Sequence, residues 1–421
     1  MNTSQKAISY SESALLGKDP KSISQNNEVV AVSFKPLVDV KKELKVTWYR
    51  CPIEGQKLRD LSARSDTQGW IMAGGHFALF LLTGGLAFFF WTQQIWWALI
   101  IALWCQGIVG SFYSGTATHE LGHGSVFKSK RLNKLFLNIF SFIGWWDPFD
   151  YASSHTYHHR YTLHPDGDRE VLLPLSPLVG RTFLIQLLSI NLLTQPGRTF
   201  GKGGLISTLI VTIRSAFGKI GSTEIPSNEW LEALHEDNPE QHKKSIRWSR
   251  ILLAGHGLVL VSGIITGYWI LPFLISLPSF IANIGSYLVG MTQHCGLRDN
   301  SPDFRKNTRS VKLNPLYSFL YWHMNWHTEH HMYVGVPCYN LGELARAIAD
   351  DMPEPRTLRQ AWKEMAETWH KQQTNPDYQF DTPFPKTASP EFKPGDKLRH
   401  KKITPDNLAN SLKDLSPEGA H

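Results

Sequence analysis

Four stretches of the chain, residues 70–91, 95–115, 251–268 and 270–290, are apolar at almost every position. Each has about the twenty residues that a bilayer core requires of a helix. Only Thr92-Gln93-Gln94 parts the first two, and Pro272 marks the join of the second pair. This pattern predicts four transmembrane helices arranged as two hairpins, with Trp and Tyr crowding their ends as in an interfacial aromatic belt. The stretches 135–146, 182–193 and 201–217 are apolar but too short to span, and are expected to lie on the membrane surface or to cover a site at its edge.

Polarity sets the remaining boundaries. Residues 1–45 are rich in Ser, Lys, Asn and Gln and read as a disordered tail. Residues 46–350 form the membrane domain, with a helix over 340–348, and 351–421 read as a polar cytosolic tail, Pro- and Lys-rich from about residue 372. The fold class expected is therefore all-α integral membrane, with a cytosolic helical cap joining the hairpins.

At 421 residues the chain could hold two or three soluble domains, but the apolar distribution overrides that prior. Its net charge of +7 comes from scattered basic residues with no nucleic-acid motif beside them, so no nucleic-acid partner is expected. Lys128, Lys130, Arg131 and Lys134 follow the second span, whereas the hairpin turns carry no Lys or Arg. The positive-inside rule then puts the segment between the hairpins in the cytosol, at the endoplasmic reticulum of a eukaryote or the inner membrane of a bacterium. Cys51, Cys105, Cys295 and Cys338 lie far apart and form no disulfide framework.

Histidine changes the picture more than charge does. His119-Glu-Leu-Gly-His123, His155-Thr-Tyr-His158-His159 and His327-Thr-Glu-His330-His331 all fall outside the spans, as does His294, and the two-hairpin topology puts them on one side. Residues three and four apart share a helix face, so each cluster aims two or three imidazoles at a common point. Nine nitrogen donors exceed what one tetrahedral ion can use, and suit two ions of about four to five ligands each. His119-Glu120-x-x-His123 also matches the zinc-protease helix HExxH, but a protease would leave seven histidines without a role. Glu120 is better read as orienting a ligand imidazole, and Asp168 and Glu170 as further partners of that kind. His76 and His256, inside spans, read as hydrogen-bonded packing residues.

These clusters resemble the membrane fatty acid desaturase and hydroxylase superfamily. The resemblance rests on His119-Glu-Leu-Gly-His123-Gly-Ser, on SHTYHHRYTLHPDGDRE from Ser154 to Glu170, and on NWHTEHHMYVGVPCYNL from Asn325 to Leu341, and covers roughly residues 65–350. It implies a di-iron centre held by His119, His123, His155, His158, His159, His294, His327, His330 and His331, with dioxygen as co-substrate. The implied reaction is desaturation of a fatty acyl chain or related lipid, with hydroxylation or epoxidation of a hydrophobic molecule as the alternative. In acyl-CoA members an asparagine four residues before the lone histidine can hold a metal-bound water, but Gly290 stands there in this chain. Glu120 replaces the aspartate of many desaturases and is shared with alkane-hydroxylase-like members. His323 and His164 read as neighbours of the ligands. The sequence shows no His-Pro-Gly-Gly motif of a fused cytochrome b5 and no ferredoxin cysteine set, so a separate donor of cytochrome b5 or ferredoxin type, with its reductase, is expected.

Overall fold

The computed structural model describes residues 34–173, 175–194, 203–222 and 224–396, and the backbone of a small antiparallel hairpin, β1 (Ile23–Gln25) with β2 (Glu28–Val30). Among these residues three helices are long and apolar enough to cross a membrane. After α1 (Leu37–Glu43), these are α2 (Asp66–Thr92), α3 (Trp96–Gly122) and, further on, Pro239–Thr266. Ser65 caps α2 by accepting from the Gln68 N–H, so the helix starts a turn before its apolar run. The first hairpin closes where expected, with Gln94 in the left-handed region.

Between the hairpins the chain is helical and covers one end of the bundle. The cap contains α4 (Lys130–Gly144), α5 (Pro148–Tyr161), α6 (Arg181–Leu188), α7 (Leu205–Ala216) and α8 (Asn228–Asp237). On α7 the side chains of Ile206, Ile210 and Ile213 and the following Phe217 are exposed, which fits a helix lying at the membrane surface. The third long helix, α9 (Pro239–Thr266), starts well before the apolar run at 251, because Asn238 accepts from the Gln241 N–H and Pro239 occupies the first turn.

The fourth span is not a continuous helix. From Trp269 the chain returns toward His294 as a short helix Leu271–Ile275, a 3-10 turn Pro278–Phe280 and α10 (Ile284–Gly290). Pro272 and Pro278 remove backbone donors, and Ala282 sits at φ +50°. Carbonyls freed in this way must be met inside the protein, because the bilayer core supplies no water. Gln106 Nε2 donates to the Leu274 carbonyl at 2.8 Å and Trp145 Nε1 to the Ser276 carbonyl at 2.8 Å. His256 lies between Phe142 and Trp145, with Nδ1 2.8 Å from Ser276 Oγ and Nε2 3.0 Å from the Phe142 carbonyl. Gly107 lets α3 approach so closely that a Cβ there would stand 2.5 Å from the Ile281 carbonyl oxygen.

The topology expected of two hairpins survives this break. Tyr268 and Trp269 meet Trp91, and Trp269 stacks on Trp96, so the far turns of both halves share one aromatic end. His76 is the packing residue anticipated: Trp322 Nε1 donates to its Nδ1 at 2.9 Å, and its Nε2 donates to the Val109 carbonyl at 3.0 Å.

Residues 1–22 and 397–421 of the two expected tails lie outside the described residues, but the parts nearest the membrane domain are folded. α1 lies within 1–45, yet Leu37 and Val40 are buried against Tyr157, Tyr161 and Trp230. At the other end, after α11 (His327–Met332) and α12 (Leu341–Ala347), β3 (Val311–Lys312) pairs in parallel with β4 (Arg356–Thr357), and α13 (Leu358–Gln372) packs on α10, where Trp362 Nε1 donates to the Leu288 carbonyl at 2.9 Å. Arg309, fully buried, holds α13 through Glu364 at 2.6 Å. Polar composition concealed this docking because its anchors are ion pairs and three buried side chains, Ala361, Met365 and Thr368.

Candidate metal centre

The first histidine box follows a break in its helix, whereas the second and third lie on regular helical turns. α3 bends at Ser114 and Gly115, whose φ of +76° suits only glycine, and its last turn, Thr118–Gly122, is thereby redirected. Such interruptions of a helix recur at functional sites. α5 begins at Asp147, whose carboxylate accepts from the Phe149 and Asp150 N–H groups, with Pro148 in the first turn. α11 carries the third box, and His294 follows α10.

These elements bring all nine histidines into two abutting groups. His119, His123, His155, His159 and His330 form one, and His158, His294, His327 and His331 the other, with ligand-capable atoms within 4.8 Å of one another in each. Neighbouring residues divide between the groups: His158 from His159, and His330 from His331. Consecutive helical residues point roughly 100° apart, so each HH pair straddles the two centres. The His159 and His331 rings, 4.5 Å apart, join them.

The hydrogen bonds fix which nitrogen faces inward. His119 Nδ1 lies 2.9 Å from Glu120 Oε1, His155 Nδ1 3.1 Å from Glu170 Oε1, and His158 Nδ1 2.9 Å from Asp168 Oδ2. His294 Nδ1 donates to the Asn307 carbonyl at 2.9 Å. Thr162 spends its own proton on the His158 carbonyl, so His331 Nδ1 must donate to Thr162 Oγ1 at 3.2 Å. With the proton on Nδ1, each of these five rings in its neutral form turns a bare Nε2 lone pair inward.

Inside each group the Nε2 atoms crowd together. His327 Nε2 is 2.9 Å from His294 Nε2 and 3.1 Å from His331 Nε2, and His330 Nε2 is 3.2 Å from His159 Nε2. The Nε2 atoms of His119, His123 and His155 are buried without a hydrogen-bond partner. Buried polar atoms are otherwise nearly always paired. Converging lone pairs are what a cation binds, so the residues fit a pair of metal ions.

Electrostatics agrees. Burial, reinforced by neighbouring imidazoles, holds His155, His159, His327, His330 and His331 well below the ordinary histidine range, and His123 and His294 fall to about 3. Neutral imidazole is the state a metal ligand needs. His158 differs: burial pulls it down, but Asp168 more than reverses the pull, and His158 in turn holds Asp168 below the usual carboxylate range against burial.

Glu120 and Asp168 lie against rings of these groups, Glu120 on His119 and Asp168 on His158. Glu120 also reaches within 3.4 Å of His330 Nδ1, which ties the first box to the third. Glu170 is further steadied by Ser154, which donates to Oε2 at 2.7 Å and accepts from Trp230 Nε1. Thr162 and Asn307 carried no sequence signal as ligand partners, because one contact spans 169 residues and the other uses a backbone carbonyl. His323 and His164 stay outside both groups: His323 Nδ1 is 3.0 Å from Ser318 Oγ, and His164 faces the Tyr161 and Thr162 carbonyls.

Residues 94–362, well over half of the chain, match the model of the family described as Fatty acid desaturase. None of the curated proteins compared with the chain matches it.

Proposed function

We propose that this chain, which belongs to the fatty acid desaturase family of O2-dependent oxidoreductases, is a membrane-bound di-iron enzyme that desaturates a fatty acyl chain or related lipid. The observation that carries the reading is the convergence of nine imidazoles, in groups of five and four, at one end of three membrane-length helices. His119, His123, His155, His159 and His330 would hold one iron, and His158, His294, His327 and His331 the other. The pair supplies the oxidising power of dioxygen, which an unactivated C–H bond requires.

The protein's own part is orientation and exclusion of water. Asp168, Glu120 and Glu170 fix ring tautomers and so keep Nε2 directed inward. Burial of the rings keeps bulk water away from the reacting carbon. In the balanced reaction two substrate hydrogens, two external electrons and two protons reduce one dioxygen to two waters. Oxygen insertion to an alcohol is the second reading, favoured by Glu120 in place of aspartate.

The two electrons come from a separate donor of cytochrome b5 or ferredoxin type. His123 and His159, only partly buried, bring the five-histidine group nearest the surface, and Lys128, Lys130, Arg131 and Lys134 are exposed beside the first box. An acidic carrier would be steered to such a patch. The active site then faces the cytosol.

Mass spectrometry of lipids from cells expressing the chain, or its His327→Ala variant, with a reductase system tests the reading. A product lighter by two hydrogens and absent from the variant supports desaturation. A product gaining an oxygen labelled from dioxygen gas supports hydroxylation. Zinc as the only bound metal, with activity surviving without oxygen, refutes both.

A further inference from the structure

A cavity of about 60 Å³ opens at the bend of α3, room for several water molecules or a small polar group. Its walls are polar: ten of thirteen lining residues carry a hydroxyl or a carboxamide, and Leu187 is the one aliphatic side chain. Ser114 and Thr116 come from the bend, Ser279 and Asn283 from the broken return, and Gln293 from the turn after α10.

Along the chain, the cavity's lining residues neighbour members of both histidine groups. Thr116 lies one turn before His119, and Gln293 immediately precedes His294. Trp146, which borders Gly115, packs on Tyr151 at 5.0 Å, and Tyr151 stacks on His155 at 4.9 Å. Gly290 lines the cavity one turn before His294 and contributes no side chain to fill it.

The wall also holds an acceptor that the protein does not satisfy. Asn283 Oδ1 is buried with no hydrogen-bond partner among the described residues. Ser111, Ser279, Ser286, Tyr287 and Gln293 already donate within the protein, but a run of methylenes placed here would leave Asn283 Oδ1 without a donor. Sites built to hydrogen-bond a substrate reject analogues lacking the matching group far more strongly than apolar sites discriminate by size.

We propose that this cavity binds a hydroxyl- or amide-bearing part of the substrate close to the carbon that is oxidised. The substrate class is then a polar-headed lipid or a soluble polyol, oxidised near its polar groups, rather than the middle of a plain saturated acyl chain. The proposal rests on the oxidase reading of the histidine site and narrows its substrate. Asn283 is the residue assigned to accept a substrate O–H or N–H, and Thr116 lines the side nearest His119.

The test is equilibrium binding of radiolabelled sorbitol and of a short-chain ceramide to the full chain in nanodiscs of unsaturated lipid. Distearoyl phospholipid serves as the plain-chain competitor. The expected result is saturable binding of one polar probe, not displaced by the competitor and weakened about tenfold by Asn283→Leu and by the near-isosteric Thr116→Val. Sorbitol binding would identify a soluble substrate, and ceramide binding a lipid headgroup. Three results each overturn the proposal: neither probe binds, distearoyl phospholipid displaces the bound probe, or both variants bind as the wild type does. Failure of the oxidase reading shows separately, as bound probe without iron-dependent oxygen consumption. Oxidation of a plain stearoyl chain, indifferent to both variants, would keep the oxidase reading and remove this one.

Discussion

Replacing Asp168 by asparagine tests whether second-layer carboxylates hold the histidines in register. The carboxylate is fully buried and accepts four hydrogen bonds, two on each oxygen. Oδ2 takes His158 Nδ1 at 2.9 Å and the Leu163 N–H at 2.8 Å, and Oδ1 takes the Glu170 and Val171 N–H groups at 3.0 and 3.4 Å. An amide has one acceptor oxygen, so whichever way it turns, its NH2 confronts two buried donors. At about 1–3 kcal/mol for each donor left unpaired, Asp168→Asn should destabilise the fold by about 2–6 kcal/mol. Loss of such a partner also lowers metal affinity by about ten- to a hundredfold. That loss should fall on the group containing His158, leaving close to one tightly held iron per chain, whereas Glu120→Gln should weaken the group containing His119 and His330. Iron per chain would be measured after dialysis against chelators of graded strength, with thermal unfolding followed in the same detergent. Iron retention within about threefold of wild type, together with an unchanged unfolding midpoint, would refute the reasoning.

Three other perturbations probe separate parts of the structure. Gly107→Ala would push a methyl into the Ile281 carbonyl and should cost about 1–3 kcal/mol, read as a lower unfolding midpoint, whereas an unshifted midpoint would deny the close approach. Glu364→Leu strands the buried Arg309 guanidinium, keeping only its contacts to the Thr292 and Cys295 carbonyls, and should cost about 3–5 kcal/mol in the same assay. The third concerns Asp150, which lies among Asp147, Glu224, His235 and Ser245 and is pushed up to about 7, chiefly by burial. Its folded value exceeds the unfolded value of about 3.9, so the folded state holds the extra proton between them, and stability should fall as pH rises from about 4 to 7 and then level off. Denaturant titrations across that range should show a shallower decline for Asp150→Asn, and an identical slope in wild type and variant would sink the assignment.

The sequence made the centre legible and its supports only partly so. Histidines three and four apart are visible because the helical period is fixed, whereas the division of His158 from His159 between two groups depends on where α3 and α11 lie. Asp168 and Glu170 were within reach because they follow the second box by a short loop. Asn307 and Thr162 were not, since their partners are distant in the chain or use backbone atoms. Pro272 was noticed as a join between spans, but Pro272 and Pro278 break the fourth span itself, and hydropathy alone does not register the missing donors. α13 went unread for the opposite reason, because a polar helix anchored by Arg309 and Glu364 looks like a solvated tail.

The broken return between Trp269 and His294 imposes an order on how the protein is made. A continuous apolar helix satisfies its own backbone and can enter the bilayer alone, but this stretch cannot. Its Leu274 carbonyl waits for Gln106 on α3, and its Ser276 groups wait for Trp145, just past α4, and His256 on α9. All three come from chain made earlier, so the early helices act as a mould in which the last segment sets. His294 lies beyond that segment, and the four-histidine group can therefore close only after the mould is filled.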